Sequence, residues 1–269
     1  MKPLILTLRG RPEQRLDMAP LTAHRLAGMT AKEIEKIELH TTRRRVVVGE
    51  AFRLRMGDAT NMCIEESCDR LDQIGQGMAG GEILVDGNLG ARAGRLMSDG
   101  RLTIRGNAGP WTASGMTGGA IEITGDADGY LGAPGNGEIA GMRGGVVVVR
   151  GNAGDRVGDR MRRGIIIVEG NAGAYAGSRM IAGTLVIAGR AGPLPGYLMR
   201  RGTIVLGEGT DKVSPTFIDC GAHDLVALQL MASYIANYSS LAAGLFKSPL
   251  RRFAGDTAVF GKGEIFSRR

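Results

Sequence analysis

Along the middle of this chain the apolar positions recur in pairs, two residues apart, each pair following a glycine. The pairs are Ile83 and Val85, Leu102 and Ile104, Ile121 and Ile123, Val147 and Val149, Ile166 and Val168, Leu185 and Ile187, and Ile204 and Leu206. A period of two puts both side chains of a pair on one face of a strand. The leading glycines (Gly81, Gly100, Gly119, Gly145, Gly164, Gly183 and Gly202) lie 19, 19, 26, 19, 19 and 19 residues apart. Nineteen residues is too short for a helix-pair repeat or a propeller blade and suits one coil of a parallel β-solenoid. The 26-residue interval contains a single insertion, within 133–140.

Further columns follow the strands. A second glycine column (Gly87, Gly106, Gly125, Gly151, Gly170, Gly189) precedes Asn88, Asn107, Asp126, Asn152, Asn171 and Arg190. That pairing predicts a corner with positive φ, where glycine meets no Cβ penalty and Asn or Asp is best tolerated. Small residues come next (Ala108, Ala127, Ala153, Ala172, Ala191), then a third corner at Gly94, Gly132, Gly158, Gly177 and Gly196. Three residues before every leading glycine stands a methionine, from Met78 to Met199, which reads as interior packing by adaptable thioethers in preference to a soft-metal relay.

The flanks are not repetitive. Residues 1–80 form an N-terminal cap in which 52–59 imitates a degenerate first coil. Before it come a strand near Leu4 to Leu8, a helix opened by a Thr30 to Glu33 capping box, and a strand over 46–48. The repeats occupy 81–210. In 211–269 a helix over 223–237 carries Leu225, Leu228, Ala232 and Ile235 on one face, suited to lie against the solenoid. The uncharged stretch 225–246 is long enough to span a bilayer, but its Gln229, Ser233, Asn237, Ser239 and Ser240 favour a packing helix. The fold class is therefore mainly β: a parallel β-helix of about seven 19-residue coils with a small mixed α/β N-terminal cap and a C-terminal helix packed on it.

Between each buried pair sits one outward residue: Leu84, Thr103 and Glu122, then Val148, Ile167, Val186 and Val205. From the insertion onward this stripe is apolar and needs cover, by the C-terminal helix or by another subunit, so Val148, Ile167, Val186 and Val205 are candidate interface residues. Charge is equally uneven. The chain carries +7, and 140–201 alone contains ten arginines against Asp155, Asp159 and Glu169. Arg143, Arg162 and Arg200 share one column, and Arg163 and Arg201 the next. Arg162, Arg163, Arg200 and Arg201 thus read as a basic ridge, either a solvated protein interface or a dock for a polyanion. Nucleic acid is disfavoured, on the expectation that no aromatic stacking residues interleave with the arginines of this ridge.

No catalytic set emerges. The three histidines (His24, His40, His223) form no helical metal pair and flank no nucleophile motif. Cys63, Cys68 and the Cys220-x-x-His223 pair allow a zinc site to be drawn, but no well-spaced fourth ligand is evident and free cysteine is usually a small buried hydrophobe. Gly75-Gln76-Gly77-Met78-Ala79-Gly80 matches a dinucleotide fingerprint as text, yet leads into a strand and not a helix. The odd cysteine count and the lack of a signal-peptide core suggest the cytoplasm, and no membrane is expected as a partner.

The Gly-Asn-Ala-Gly coils, with the ending Phe253-Ala254-Gly255-Asp256 to Gly261-Lys262-Gly263-Glu264-Ile265, resemble the C subunit of formylmethanofuran dehydrogenase over nearly the whole chain. The coils alone are similar to the C-terminal β-helix domain of glutamate synthase, whose amidotransferase and FMN domains are not found in these 269 residues. The arginine- and alanine-rich character looks like the bacterial branch, the formyltransferase/hydrolase complex of methylotrophs. That resemblance implies a right-handed β-helix and a non-catalytic scaffold beside A, B and D subunits. In the complex a formyl group passes from formyl-tetrahydromethanopterin to a methanofuran-type cofactor on D and leaves as formate on A. In the archaeal relatives a tungsten or molybdenum centre belongs to B. The arginine ridge would then attract the cofactor's acidic tail or an acidic subunit face.

Overall fold

The computed structural model describes residues 2–41 and 43–268. One mostly parallel sheet of 13 strands runs the length of the molecule. Its continuous part stacks Pro3–Leu8, Asp58–Ser67, Ala79–Gly87, Asp99–Arg105, Ala120–Ile123, Arg143–Val149, Arg163–Val168, Thr184–Ile187, Arg201–Leu206 and Lys262–Ser267, each parallel to the next. The expected pairs stand in register: Ile83 faces Leu102, Leu102 faces Ile121, Ile166 faces Leu185, and Leu185 faces Ile204. The column continues past the repeat at both ends, through Met62 and Leu4 on one side and Ile265 on the other.

Only the end of 52–59 joins the parallel stack. Phe52–Arg55 pairs antiparallel with Pro3–Leu8 and closes one end of the sheet, while the rung beneath the first repeat is Asp58–Ser67. At the other end Leu250–Gly255 and Ile218–His223 add two more antiparallel strands. Reversing the chain at both ends offers the stack no parallel template on which to keep growing. The capping box forms as read: the Thr30 backbone N–H and hydroxyl both donate to the Glu33 carboxylate, at 2.7 and 2.8 Å, opening the helix Ala31–Glu35.

Each coil has three walls around one interior. The sheet is the first. The second is a ladder of single bridges joining Ala108, Ala127, Ala153, Ala172, Ala191 and Thr210. The third is a tight loop in which bulky residues take the left-handed conformation at one recurring position: Arg92, Trp111, Tyr130, Arg156, Tyr175 and Leu194, all with φ between 59° and 64°. Such a backbone costs an L-residue about 1–2 kcal/mol. It is held because each of these N–H groups donates to the next coil, as from Arg156 to Ala174 O at 2.8 Å and from Tyr175 to Pro193 O at 3.0 Å.

The second glycine column differs from expectation. Apart from Gly87, its members have no positive φ. Glycine is needed there because the coil below lies too close: a Cβ on Gly170 would sit 2.6 Å from Asn152 Oδ1 and 2.7 Å from Gly151 O. The asparagines create that crowding by bonding upward, Asn88 Oδ1 accepting from Asn107 N at 2.8 Å and Asn152 Oδ1 from Asn171 N at 2.9 Å. Positive φ falls instead on the leading column, where Gly164 (φ +93°) also meets Met142 Cε. All seven column methionines are buried in the interior, packing against such glycines.

Candidate functional site

The interior of the coils is filled by buried side chains, so along the coils recognition falls to the outer walls. On the sheet wall the outward residues Leu84, Thr103 and Glu122 remain half-buried, whereas Val148, Ile167, Val186 and Val205 are sealed. Their cover is the chain's own C-terminal segment: Leu228, Ile235, Ala242, Leu245, Phe246 and Leu250 form with them a second hydrophobic core. The reading of these four as partner-interface residues is therefore corrected, because no surface is left on them for another subunit. The helix is Val226–Ile235, beginning later than expected because His223 still belongs to a strand. Its inward face is the predicted one, with Leu228 and Ile235 buried and Leu225 and Ala232 half-buried. No helix among the described residues is long and apolar enough to cross a membrane.

Where the sealed half begins, Arg150 bridges Glu122 and Glu169 at 2.7 and 2.6 Å, and Ser239 Oγ donates to Glu169 at 2.6 Å. Burial works against the Arg150 cation, but its bonds to the two carboxylates outweigh that and raise its pKa above the ordinary arginine value. This polar clasp fixes the edge of the C-terminal cover on the sheet.

Arg162, Arg163, Arg200 and Arg201 are all exposed, and among the described residues none takes part in an ion pair. The structure brings together three of them. Arg162, Arg163 and Arg201 line a shallow cavity of about 360 Å³ whose floor is Ile181, Ala182 and Gly183. Arg200 turns around the corner onto the loop wall, over the Phe260 ring at 5.7 Å. Columns also shift slightly from the reading by spacing, since Arg143 stands opposite Arg163 across a register irregularity. Because Ile181 and Ala182 occupy the intervening coil, the arginine pairs lie two rungs apart, about 10 Å, near one Debye length. They add to one positive field at little cost in mutual repulsion.

The loop wall carries what spacing did not show. A groove of about 790 Å³ runs along it, bounded by Trp111 and Tyr130, the insertion 134–139, Arg160, Arg179, Leu198, Arg200 and Val259. Trp111 and Tyr130 stack with ring centres 4.9 Å apart, and Arg156 lies over Tyr175 at 4.9 Å. Aromatic rings and arginines thus do lie side by side on this wall, contrary to the sequence-based argument against stacking. A usable signal existed in the column Arg92, Trp111, Tyr130, Arg156, Tyr175, which is large and outward in every coil.

The buried Asp159 accepts from Ser178 Oγ at 2.6 Å and from Arg179 Nη2 at 2.7 Å, which neutralises it inside the groove wall. The insertion is pinned by Glu138, which meets Arg95 Nη2 at 2.6 Å and Gly135 N at 2.9 Å. Burial alone would raise the Glu138 pKa, yet the bonds from Gly135 and Arg95 bring it below the ordinary glutamate value.

The drawn cysteine site does not assemble. Cys63 and Cys68 belong to the strand end near the N-terminus and Cys220 to the opposite end of the sheet. Among the described residues no group of three or more His, Cys, Asp or Glu side chains could hold a metal ion. Burial, reinforced by Glu65 and Asp86, pushes the Cys63 thiol up and away from the reactive thiolate form.

No family model matches the chain. It is similar to the C subunit of the formyltransferase/hydrolase complex Fhc of Methylorubrum extorquens, 42% identical over 87 residues, 32% of this chain and 33% of that protein. The C subunit of a tungsten-containing formylmethanofuran dehydrogenase 2 of Methanococcus maripaludis is 32% identical over 92 residues, 34% of each chain. These alignments span about a third of the length of the curated relatives. A solved chain of the formyltransferase/hydrolase complex FhcABCD from Methylorubrum extorquens, in complex with methylofuran, superposes with a TM-score of 0.95 at 42% identity, covering 98% of this chain and 99% of that one.

Proposed function

Since this chain belongs to the C-subunit family of formylmethanofuran dehydrogenases and formyltransferase/hydrolase complexes, we propose that it is the scaffold subunit of a complex of the second kind. In this reading 81–210 is a right-handed β-helix of about seven coils between the caps 1–80 and 211–269, lying in the cytoplasm. It holds A, B and D subunits that convert formyl-tetrahydromethanopterin to formate through a methanofuran-type cofactor. The chain contributes walls and no catalytic residue. The observation that carries the reading is the match over 98% of the chain to a subunit of such an assembly.

The unpaired Arg162, Arg163 and Arg201 over their open cavity fit the carboxylates of an acidic cofactor tail or subunit face, and Arg200 extends the same field around the corner. They offer no enclosed slot for a planar ring. Reversing the charge of Arg162 and Arg163 should weaken cofactor retention or assembly in a salt-sensitive way, whereas unchanged binding at low salt would overturn that role.

The scaffold reading is tested by deleting the chain from the co-expressed complex. Loss of the native assembly and of formate release is expected, and retention of both overturns it. Stoichiometric tungsten or molybdenum in the purified complex would move it to the metal-dependent kind, with which the chain shares lower identity.

A further inference from the structure

The groove on the loop wall has a length, a composition and a charge that together specify an occupant. Its lining comes from five successive coils, led by Gly100, Gly119, Gly145, Gly164 and Gly183, and so extends about 20 Å along the axis at 4.8 Å per coil. That length matches an extended polypeptide of about six residues at roughly 3.3 Å each, and exceeds what a compact small molecule fills.

Composition points to a protein. The single tryptophan and three of the five tyrosines of the chain (Trp111, Tyr130, Tyr175, Tyr197) stand on this wall, beside Arg156, Arg160 and Arg200. Tryptophan, tyrosine and arginine are the residue types that dominate the energetics of protein interfaces. At the rim Ile139 is 82% exposed, on a loop tied down by the Glu138 clasp to Arg95, and Phe260, next to the lining residue Val259 and under Arg200, is 65% exposed. Apolar side chains held out into water on fixed supports gain from being covered, with little further ordering to be done on binding.

Charge selects the sign. The acidic residues lining the groove are already matched, Glu138 by Arg95 and Asp159 by Arg179, while Arg160 and Arg200 have no ion-pair partner among the described residues. A strand of nucleic acid is the poorer fit. Trp111 and Tyr130 cover one face of each other at 4.9 Å, so no base can enter between them.

We propose that this groove docks an extended acidic segment of a partner subunit, whose apolar side chains seat against Ile139 and Val259 while its carboxylates meet Arg160 and Arg200. The proposal rests on the reading of the chain as a subunit of a complex and adds a place and a mode of attachment.

The test uses the tagged full chain co-expressed with the other subunits of its complex. Ile139→Asp and Arg160→Glu are compared with the wild type and with Arg105→Glu, an exposed charge reversal at the end of a sheet strand. The two groove variants should lower retention of the other subunits at least tenfold at physiological salt, and Arg105→Glu should leave it unchanged. A photo-crosslinker placed at Ile139 should be recovered on an acidic, non-helical segment of one partner. Undiminished retention in both groove variants, or cross-links to a basic or helical stretch, overturns the proposal while leaving the subunit reading intact. If the wild type itself retains no partner, the subunit reading fails first. Tight RNA binding, or a dimer of this chain that Arg160→Glu abolishes without changing partner retention, assigns the groove to that occupant and overturns the proposal.

Discussion

Two walls of the same solenoid present large side chains outward and treat them in opposite ways. On the sheet wall, Val148, Ile167, Val186 and Val205 disappear under Leu228, Ile235, Leu245 and Phe246 of the same chain. On the loop wall, Trp111, Tyr130, Tyr197 and Ile139 stay at least partly in contact with water. The difference lies in side-chain chemistry. Branched aliphatics have no polar handle and are stabilised only by complete removal from water, about 1.5–3 kcal/mol each. Aromatics and arginines combine apolar area with a hydrogen-bonding or charged tip and can stand at a surface until a partner covers them. The first wall holds this chain together, and the second is free for a neighbour.

The sharpest way to break the comparison lies within the sheet wall, where one stripe is covered in one half and open in the other. Ile167→Lys puts an unpaired ammonium into the second core and should cost about 4 kcal/mol or more. Thr103→Lys, at the equivalent position of the open half and beside Glu122, should change stability by no more than about 1 kcal/mol. Urea unfolding measures both, and limited proteolysis after the last repeat should rise only for Ile167→Lys. Equal costs at the two sites would show that the C-terminal segment does not seal the wall.

That stripe was legible in sequence because a switch from alternation to three consecutive aliphatics, as at Val147-Val148-Val149, marks a strand covered on both faces. The coils were legible for a similar reason: a fixed period makes each residue type a witness for its whole column. Other features depend on distances that a column does not contain. The Gly-Asn pairing predicts a positive φ at Gly170, while the true constraint is the approach of Asn152 from the coil below, and both explanations select glycine. The direction of Phe52–Arg55 could not be read, since a parallel rung and an antiparallel cap need the same alternating pattern. Arg200 parted from Arg201 because it precedes the strand Arg201–Leu206 and lies over the Phe260 ring, a contact with the C-terminal segment that the repeat does not contain. The groove is not legible in sequence because its parts are far apart along the chain: Arg95 clasps Glu138, and Arg200 meets Phe260.

A smaller effect is expected on the wall that lies between the other two. Asn152→Ala removes the acceptor for Asn171 N at 2.9 Å and the donor to Asp126 at 3.2 Å, both at an exposed corner where water can replace them. The cost should be about 1 kcal/mol, read as a modest fall in the denaturation midpoint with unchanged slope. A loss as large as that of Ile167→Lys would mean that the corner ladder, and not burial, carries the stack.

The smallest effect in stability is the most telling for the open wall. The folded-state pKa of Glu138 is depressed, so its contribution is fully present above the ordinary glutamate value of about 4.3 and is lost as pH falls through the lower folded value. Protonation removes the charge that meets Arg95 and weakens the hold on 134–139. With both partners about a quarter exposed, the clasp is worth under about 1 kcal/mol, too little to move global unfolding appreciably. Its release should nevertheless be visible, because the insertion and Trp111 bound the same groove and Trp111 is the only tryptophan. Tryptophan emission should therefore show an acid transition below about pH 4.3 that precedes unfolding. Glu138→Gln should already have the low-pH spectrum at neutral pH and show no such step. An identical acid step in both proteins would place the titrating group elsewhere, and the rigidity of the Ile139 loop would need another cause.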